Sequence, residues 1–225
     1  MTWSLRRGVR AASPRSEGPP SGAAAETAAP LPQHSLGLPA LLEHLPAEGR
    51  PAVLDLGPAV GANVDFFLEL GCRVHVADLY DSLPAREPSW SDPEGDGAVL
   101  PRGLLPRGPA CFDLVLAWDL LNYLTPPQMR AVAQALEPCS RRGTVVFALV
   151  ATLRQMPPRP LRYRIVGRDR LLYEDGPAEA PRAAEATRAC PRYHQPDLER
   201  ALPGFGVATS YLLRTGVQEY LFAHR

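Results

Sequence analysis

Apolar and polar positions along this chain alternate between short apolar runs and amphipathic stretches. Ala52–Leu56 (AVLDL) is a run of strand length interrupted by one acid, and Gly57-Pro58-Ala59-Val60-Gly61 follows as a turn. Ala62–Leu70 then reads as a helix, and Arg73–Ala77 as a second buried strand ending on Asp78. Phe112–Ala117 and Thr144–Val150 are two more runs apolar on both faces, the pattern of parallel strands covered on both sides. Between them Thr125 reads as an N-cap and Pro126 as the first helical residue, with an apolar stripe of Met129, Val132, Ala133 and Leu136.

The flanks follow the same logic. Leu36, Leu38, Leu41, Leu42 and Leu45 share one face of a short helix over His34–Leu45, which ends near His44. Leu161–Val166 and Arg170–Tyr173 read as short strands joined by Gly167-Arg168-Asp169. Gln195–Leu202 is a short helix preceded by His194, and Gly206–Leu213 and Val217–Ala223 form a closing hairpin. This order predicts an α/β fold: a three-layer, Rossmann-like sandwich whose mostly parallel sheet ends in an antiparallel C-terminal strand. Residues 1–33 are rich in Pro, Gly, Ser and Ala without hydrophobic period, so a disordered tail is expected there. Residues 34–225 form the domain, with an Arg-rich insertion over 151–192 followed through an acidic, Ala-rich loop (Glu174–Thr187). The stretch Asp81–Arg107 degrades where a third strand belongs, and only Ala98–Leu100 suits one.

Composition narrows the chemistry. A chain of 225 residues can bury the core of one domain with appendages. Formal net charge is zero, so no global field draws it to nucleic acid or to an anionic membrane. All 24 Lys+Arg positions are arginine, which excludes a Schiff-base lysine, a lysine general base and a Walker-type phosphate site. The four cysteines form no C-x-x-C pair, so no metal cluster or disulfide framework is expected. No apolar run is long enough to span a bilayer and no secretory signal is evident, so a cytoplasmic protein is expected.

Candidate chemistry gathers on Pro51–Tyr80. A strand–glycine turn–helix–strand unit brings backbone N–H groups and a helix N-terminus close to a ligand, and Asp78 sits where such folds place a carboxylate on ribose hydroxyls. Asp55-Leu56-Gly57-Pro58-Ala59-Val60-Gly61, Asp78, the run Phe112-Asp113-Leu114-Val115-Leu116-Ala117 and the C-terminal hairpin together resemble the class I S-adenosylmethionine-dependent methyltransferases. The resemblance covers about Ala52–Arg225. It implies S-adenosylmethionine as cofactor, held by Asp55, Gly57, Pro58, Ala59, Gly61 and Asp78, with Leu79 and Trp118 on either side of the adenine. Ala59 stands where the family has its central glycine, and Pro58 removes one donor. Asp96 is a stand-in for the acid that the third strand often gives to the adenine amino group.

Methyl transfer needs positioning more than a nucleophile, so Asp119, Asn122 and Tyr123, just past the fourth strand, are the candidates for orienting an acceptor or taking its proton. The acceptor expected is a small molecule ahead of nucleic acid or protein. Two other readings stand: a non-catalytic module that keeps the fold, and an NAD(P)-binding oxidoreductase. A carboxylate at Asp55 suits a cationic sulfonium cofactor better than a pyrophosphate.

Overall fold

A computed structural model describes residues 31–81, 98, 100, 103–105, 111–174 and 187–225. The elements in chain order are β1 (Gln33–His34), α1 (Gly37–Leu42), β2 (Ala52–Asp55), α2 (Gly61–Glu69), β3 (Arg73–Val76) and β4 (Leu114–Trp118). They continue with α3 (Pro126–Leu136), β5 (Val145–Ala151), β6 (Gln155–Met156), β7 (Arg162–Gly167) and β8 (Arg170–Glu174). β9 (Arg188–Ala189), α4 (Gln195–Ala201), β10 (Phe205–Leu212) and β11 (Val217–His224) complete the chain.

The main sheet runs β10-β11-β5-β4-β2-β3. β2 pairs in parallel with β3 and β4, and β4 with β5, whereas β11 is antiparallel to both β5 and β10. This is an α/β fold on a mostly parallel sheet, with the antiparallel C-terminal strand that the sequence pattern predicts. The parallel register brings the ends of β2, β3 and β4 to one edge, with Asp55 opposite both Val76 and Leu116.

Strand parity divides the core. Leu54, Val115, Ala117, Val146, Ala148 and Val150 pack with Met129, Val132 and Leu136 of α3 and with Leu198 of α4. Val53, Leu114, Leu116, Val145, Phe147 and Leu149 pack with Leu38 and Leu41 of α1 and Phe67 of α2. Thr125 precedes α3 as its N-cap, and its backbone N–H donates to Gln128 Oε1 at 2.8 Å in a capping box.

β1, β8 and β7 form a small antiparallel sheet, and β6 pairs with β9. Gln33, assigned by its sequence to the tail, is thus paired with Leu171. The remainder of the expected tail to residue 30, most of the third-strand region, Asp96 and residues 175–186 of the acidic loop lie outside the described residues. Among the described residues β3 is the edge of the main sheet.

The sheet is pinned at the edge opposite the ends of β2 and β4. Asp113 Oδ2 accepts the Ala52 N–H at 2.8 Å, and its other oxygen pairs with Arg141. On β11, the buried Glu219 accepts N–H groups of Leu36 and Gly37 at 2.8 and 2.6 Å, which fixes α1 to the sheet. Gly37 is required there, because a Cβ would lie 2.8 Å from Phe147 Cε2. Two charge-assisted bonds at a buried site set the expected scale, so Glu219→Ala should cost about 2–3 kcal/mol in denaturant unfolding. Glu69→Ala on exposed α2 surface should leave the midpoint in place, and an unchanged midpoint for Glu219→Ala would contradict the anchoring role.

Candidate functional site

The edge where β2, β3 and β4 end carries the polar side chains. Asp55 is almost wholly buried, and its Oδ1 accepts two hydrogen bonds: the Gly57 N–H at 2.9 Å and the Trp118 indole N–H at 2.7 Å. Burial pushes its carboxyl up to about 6, against the pull of those donors. Asn63 on α2 also lies within hydrogen-bonding reach of it. Gly57 follows from this crowding: a Cβ there would meet Trp118 Cδ1 at 2.8 Å and Asp55 Oδ1 at 3.3 Å. Gly61, by contrast, faces open space, with nothing within 4 Å of a Cβ built on it.

Asp78 sits two residues beyond β3 with φ of +40°, in the left-handed region. Among the described residues its buried Oδ1 has no hydrogen-bond partner. Burial, together with the charge of Asp81, raises its pKa, and backbone N–H donors of Asp81 and Tyr80, with Arg162 behind them, pull it partly back. Glu219 Oε1 and His224 Nδ1 likewise lack a partner among the described residues, but Asp78 alone of the three stands beside the glycine turn.

A second carboxylate, Asp119, forms the centre of a closed cluster. Tyr80 donates its hydroxyl to Asp119 Oδ1 at 2.6 Å, and the Leu161 N–H donates to Oδ2 at 3.0 Å. The Tyr163 hydroxyl also reaches it. Burial outweighs these donors and pushes Asp119 up to about 7. Tyr163 stacks on Trp118 with centroids 5.5 Å apart and planes 3° from parallel. Trp118 itself holds φ at +48°, beside a register shift between β4 and β5. A bulge of this kind re-aims side chains at sheet ends.

The Arg-rich insertion is what closes over this edge. Asn63 Nδ2 donates to the Tyr163 carbonyl at 2.9 Å, and Asn63 Oδ1 accepts the Ile165 N–H at 2.7 Å, so one side chain reads β7 like a neighbouring strand. The Tyr123 hydroxyl donates to the carbonyls of Arg159 at 2.8 Å and Pro157 at 3.2 Å. Asn122 is saturated: its Nδ2 donates to the carbonyls of Asp119 and Leu149, and its Oδ1 accepts the Ala151 N–H. Beside the turn, Ala59, Val60, Arg162, Tyr163 and Arg164 line a pocket of about 110 Å³.

The sequence expectations meet this geometry unevenly. Asp55, Gly57, Gly61, Asp78 and Trp118 are brought to one edge, with Pro58 half-buried and Ala59 exposed on the turn. Two positions need correction. Leu79 is fully buried in the apolar cluster beneath the sheet, so its side chain presents no wall to an adenine ring. Trp118 has one face on Tyr163 and its N–H on Asp55, so it too lacks the free face expected of it. Asn122 and Tyr123 hold backbone, whereas Asp119 joins a polar cluster with Tyr80 and Tyr163. His194 caps α4 and His75 is exposed on the edge strand.

Asn63, Tyr80 and Tyr163 were not singled out from the sequence. A polar residue on the buried face of α2 marks Asn63, and the alternation in Arg162–Val166 marks Tyr163 as inward; nothing in the local pattern marks Tyr80.

No protein-family model matches the chain, and no curated protein matches it by sequence. Among solved structures it is similar to the Burkholderia thailandensis 1,6-didemethyltoxoflavin-N1-methyltransferase with bound 1,6-didemethyltoxoflavin and S-adenosylhomocysteine. The identity is 21%, the TM-score 0.45, and the match covers 84% of this chain and 77% of that one. It is similar also to the magnesium protoporphyrin IX methyltransferase of Synechocystis PCC 6803 with bound SAM (15% identity, TM-score 0.46, 84% and 76% of the two chains). A third is an S-adenosylmethionine-dependent methyltransferase from Mesorhizobium loti (19% identity, TM-score 0.46, 83% and 96%). Likenesses at this level leave function to be read from the site residues. Among the described residues no helix is long and apolar enough to cross a membrane.

The two raised carboxyls set a pH dependence of unusual sign. The folded pKa of Asp119 is about 7 and that of Asp55 about 6, both above the ordinary 3.8, so the folded chain keeps protons that the unfolded chain has released. Stability therefore falls as pH rises from about 4 through those folded values, by about 1.4 kcal/mol per pH unit for each group still protonated. Scanning calorimetry should show the melting temperature rising by about 3–5 °C between pH 7.5 and 6. Asp119→Asn should flatten that slope, and an equal slope in the variant would contradict the assignment.

Proposed function

We propose that this chain is an S-adenosylmethionine-dependent methyltransferase of three-layer, Rossmann-like fold that acts on a small molecule. The observation that carries the reading is the buried, unpartnered Oδ1 of Asp78 at the end of β3, beside a glycine turn. A ribose hydroxyl is a donor suited to that oxygen, and its vicinal neighbour can reach the same carboxylate. Gly61 supports the same placement, since the space its missing side chain leaves is open. Asp55 suits a cationic amino group at the cofactor's amino-acid end, and its position at the Gly57 N–H disfavours a pyrophosphate.

When bound, the cofactor supplies a methyl group on a sulfonium. The chain's part is to bind, orient and exclude water. In this reading Ala59 and Val60 form the wall on the side of the turn, and Arg162, Tyr163 and Arg164 of β7 face them. Asn122 and Tyr123 are positioning residues, through Leu149 and Ala151 on one side and Arg159 on the other. Asp119, held near neutrality by burial, is the group suited to receive an acceptor's proton. The size of the pocket beside the turn, about 110 Å³, favours a small acceptor over a polymer.

A second reading has an observation of its own. The Trp118 indole already fills Asp55, and Ala59 adds a methyl group to the turn, as in a module that keeps the fold without turning over. Calorimetric titration separates the two. S-adenosylmethionine and S-adenosylhomocysteine should bind while NAD does not, and Asp78→Ala should weaken binding at least ~10-fold through loss of charge-assisted bonds. No heat and no thermal shift at millimolar ligand would sink the enzyme reading. Binding unchanged in Asp78→Ala would move the ribose elsewhere.

A further inference from the structure

The cofactor edge is closed by the chain's own aromatic residues, and the closure has the chemistry of a ligand. Asp55 Oδ1 receives the Trp118 indole N–H at 2.7 Å, the distance of a strong charge-assisted bond. Trp118 holds this position at a conformational cost: a bulky side chain at φ of +48° occupies a region that L-residues with large side chains avoid. Tyr163 lies flat on the indole from the other side. Its carbonyl is held by Asn63, and the preceding Leu161 N–H by Asp119. Gly57 leaves the indole its room, since any side chain at that position would run into Cδ1.

We propose that Trp118 is an internal stand-in for the primary ammonium group of the cofactor. Arrival of that ammonium at Asp55 displaces the indole N–H, and the Trp118 and Tyr163 rings leave together, which loosens the segment 157–163 held by Asp119 and Tyr123. The identity of the ligand rests on the methyltransferase reading; the displacement itself is a property of Asp55, Trp118 and Tyr163. Three features require this together. An indole N–H is a neutral donor on a carboxylate that a cation would satisfy better. Trp118 stands at the register shift between β4 and β5, where the strand end re-aims its side chain. The 2% exposure of Trp118 means that it moves only if the Tyr163 ring above it moves too.

The experiment uses the full chain with Trp3→Phe and Trp90→Phe, so that Trp118 alone reports in fluorescence. Without ligand its emission should be that of a buried indole and resist acrylamide; a solvent-exposed signal would overturn the proposal whatever the cofactor. S-adenosylhomocysteine, which carries the ammonium, should shift the emission to the red and raise quenching at the concentration where calorimetry shows binding. 5′-Methylthioadenosine, the same nucleoside without the amino-acid end, should bind and leave the emission in place. Equal shifts from both ligands, or calorimetric binding of S-adenosylhomocysteine with no shift, would overturn the displacement. In the otherwise native chain, Trp118→Phe removes the competing N–H and keeps a ring for Tyr163, so it should bind S-adenosylhomocysteine about 5–10-fold tighter, as removal of a closed state requires. Weaker binding would make Trp118 a wall of the ligand site instead of its substitute. If neither nucleoside binds either form, the cofactor reading itself falls, and this assignment with it.

Discussion

The arrangement depends on one carboxylate oxygen. Asp55 Oδ1 takes the Gly57 N–H and the Trp118 indole N–H together, and this pair of bonds sets the turn after β2, the end of β4 and the lack of a side chain at Gly57. Other side chains at this edge are arranged around it. Tyr163 stacks on the indole, Asn63 holds β7 over the turn, and Asp119 closes the far side with Tyr80. A buried polar network of this kind is tolerated only where its members satisfy one another, since each bond strengthens at low dielectric and each vacancy costs more there. Asp78, beside the network, keeps one oxygen without a partner among the described residues.

The two ends of the sheet contrast in how they are built. At the base, Asp113 accepts the first N–H of β2, Thr144 donates to the Phe112 carbonyl at 2.6 Å, and Asp113 pairs with Arg141. On the α1 side, Glu219 fixes the chain before β2 to β11. At the opposite edge the carboxyls of Asp55, Asp78 and Asp119 are all shifted upward, burial being the largest cause in each. Groups perturbed in this way and clustered at strand ends mark the edge at which open α/β sheets take ligands.

Much of this was legible in the sequence. β2, β4 and β5 read correctly because runs apolar on both faces have few alternatives, and Thr125-Pro126 marks α3 through chemistry local to three residues. The C-terminal hairpin was equally clear, since Arg214-Thr215-Gly216 stands between two apolar strands. The expected positions of Asp55 and Asp78 at strand ends follow from that same pattern. What the residues could not show is where the insertion comes to rest. Asn63, Tyr80 and Tyr163 meet Asp55 and Asp119 from distant parts of the chain, and periodicity gives only the face on which each lies. The sequence presents Trp118 as an open ring, because its backbone conformation and its bond to Asp55 depend on a bulge that no local signal announces. Leu79, one residue past the key acid, followed its apolar character into the core.

The central claim is that the acid after β3 completes itself on the ribose of S-adenosylmethionine, and a structure of the chain crystallised with S-adenosylhomocysteine tests it most directly. The account predicts both ribose hydroxyls on the Asp78 carboxylate, the ligand's ammonium on Asp55 and the Trp118 indole away from it. A nucleoside bound elsewhere, or ribose hydroxyls met by other residues with Asp78 Oδ1 still unpartnered, would contradict it.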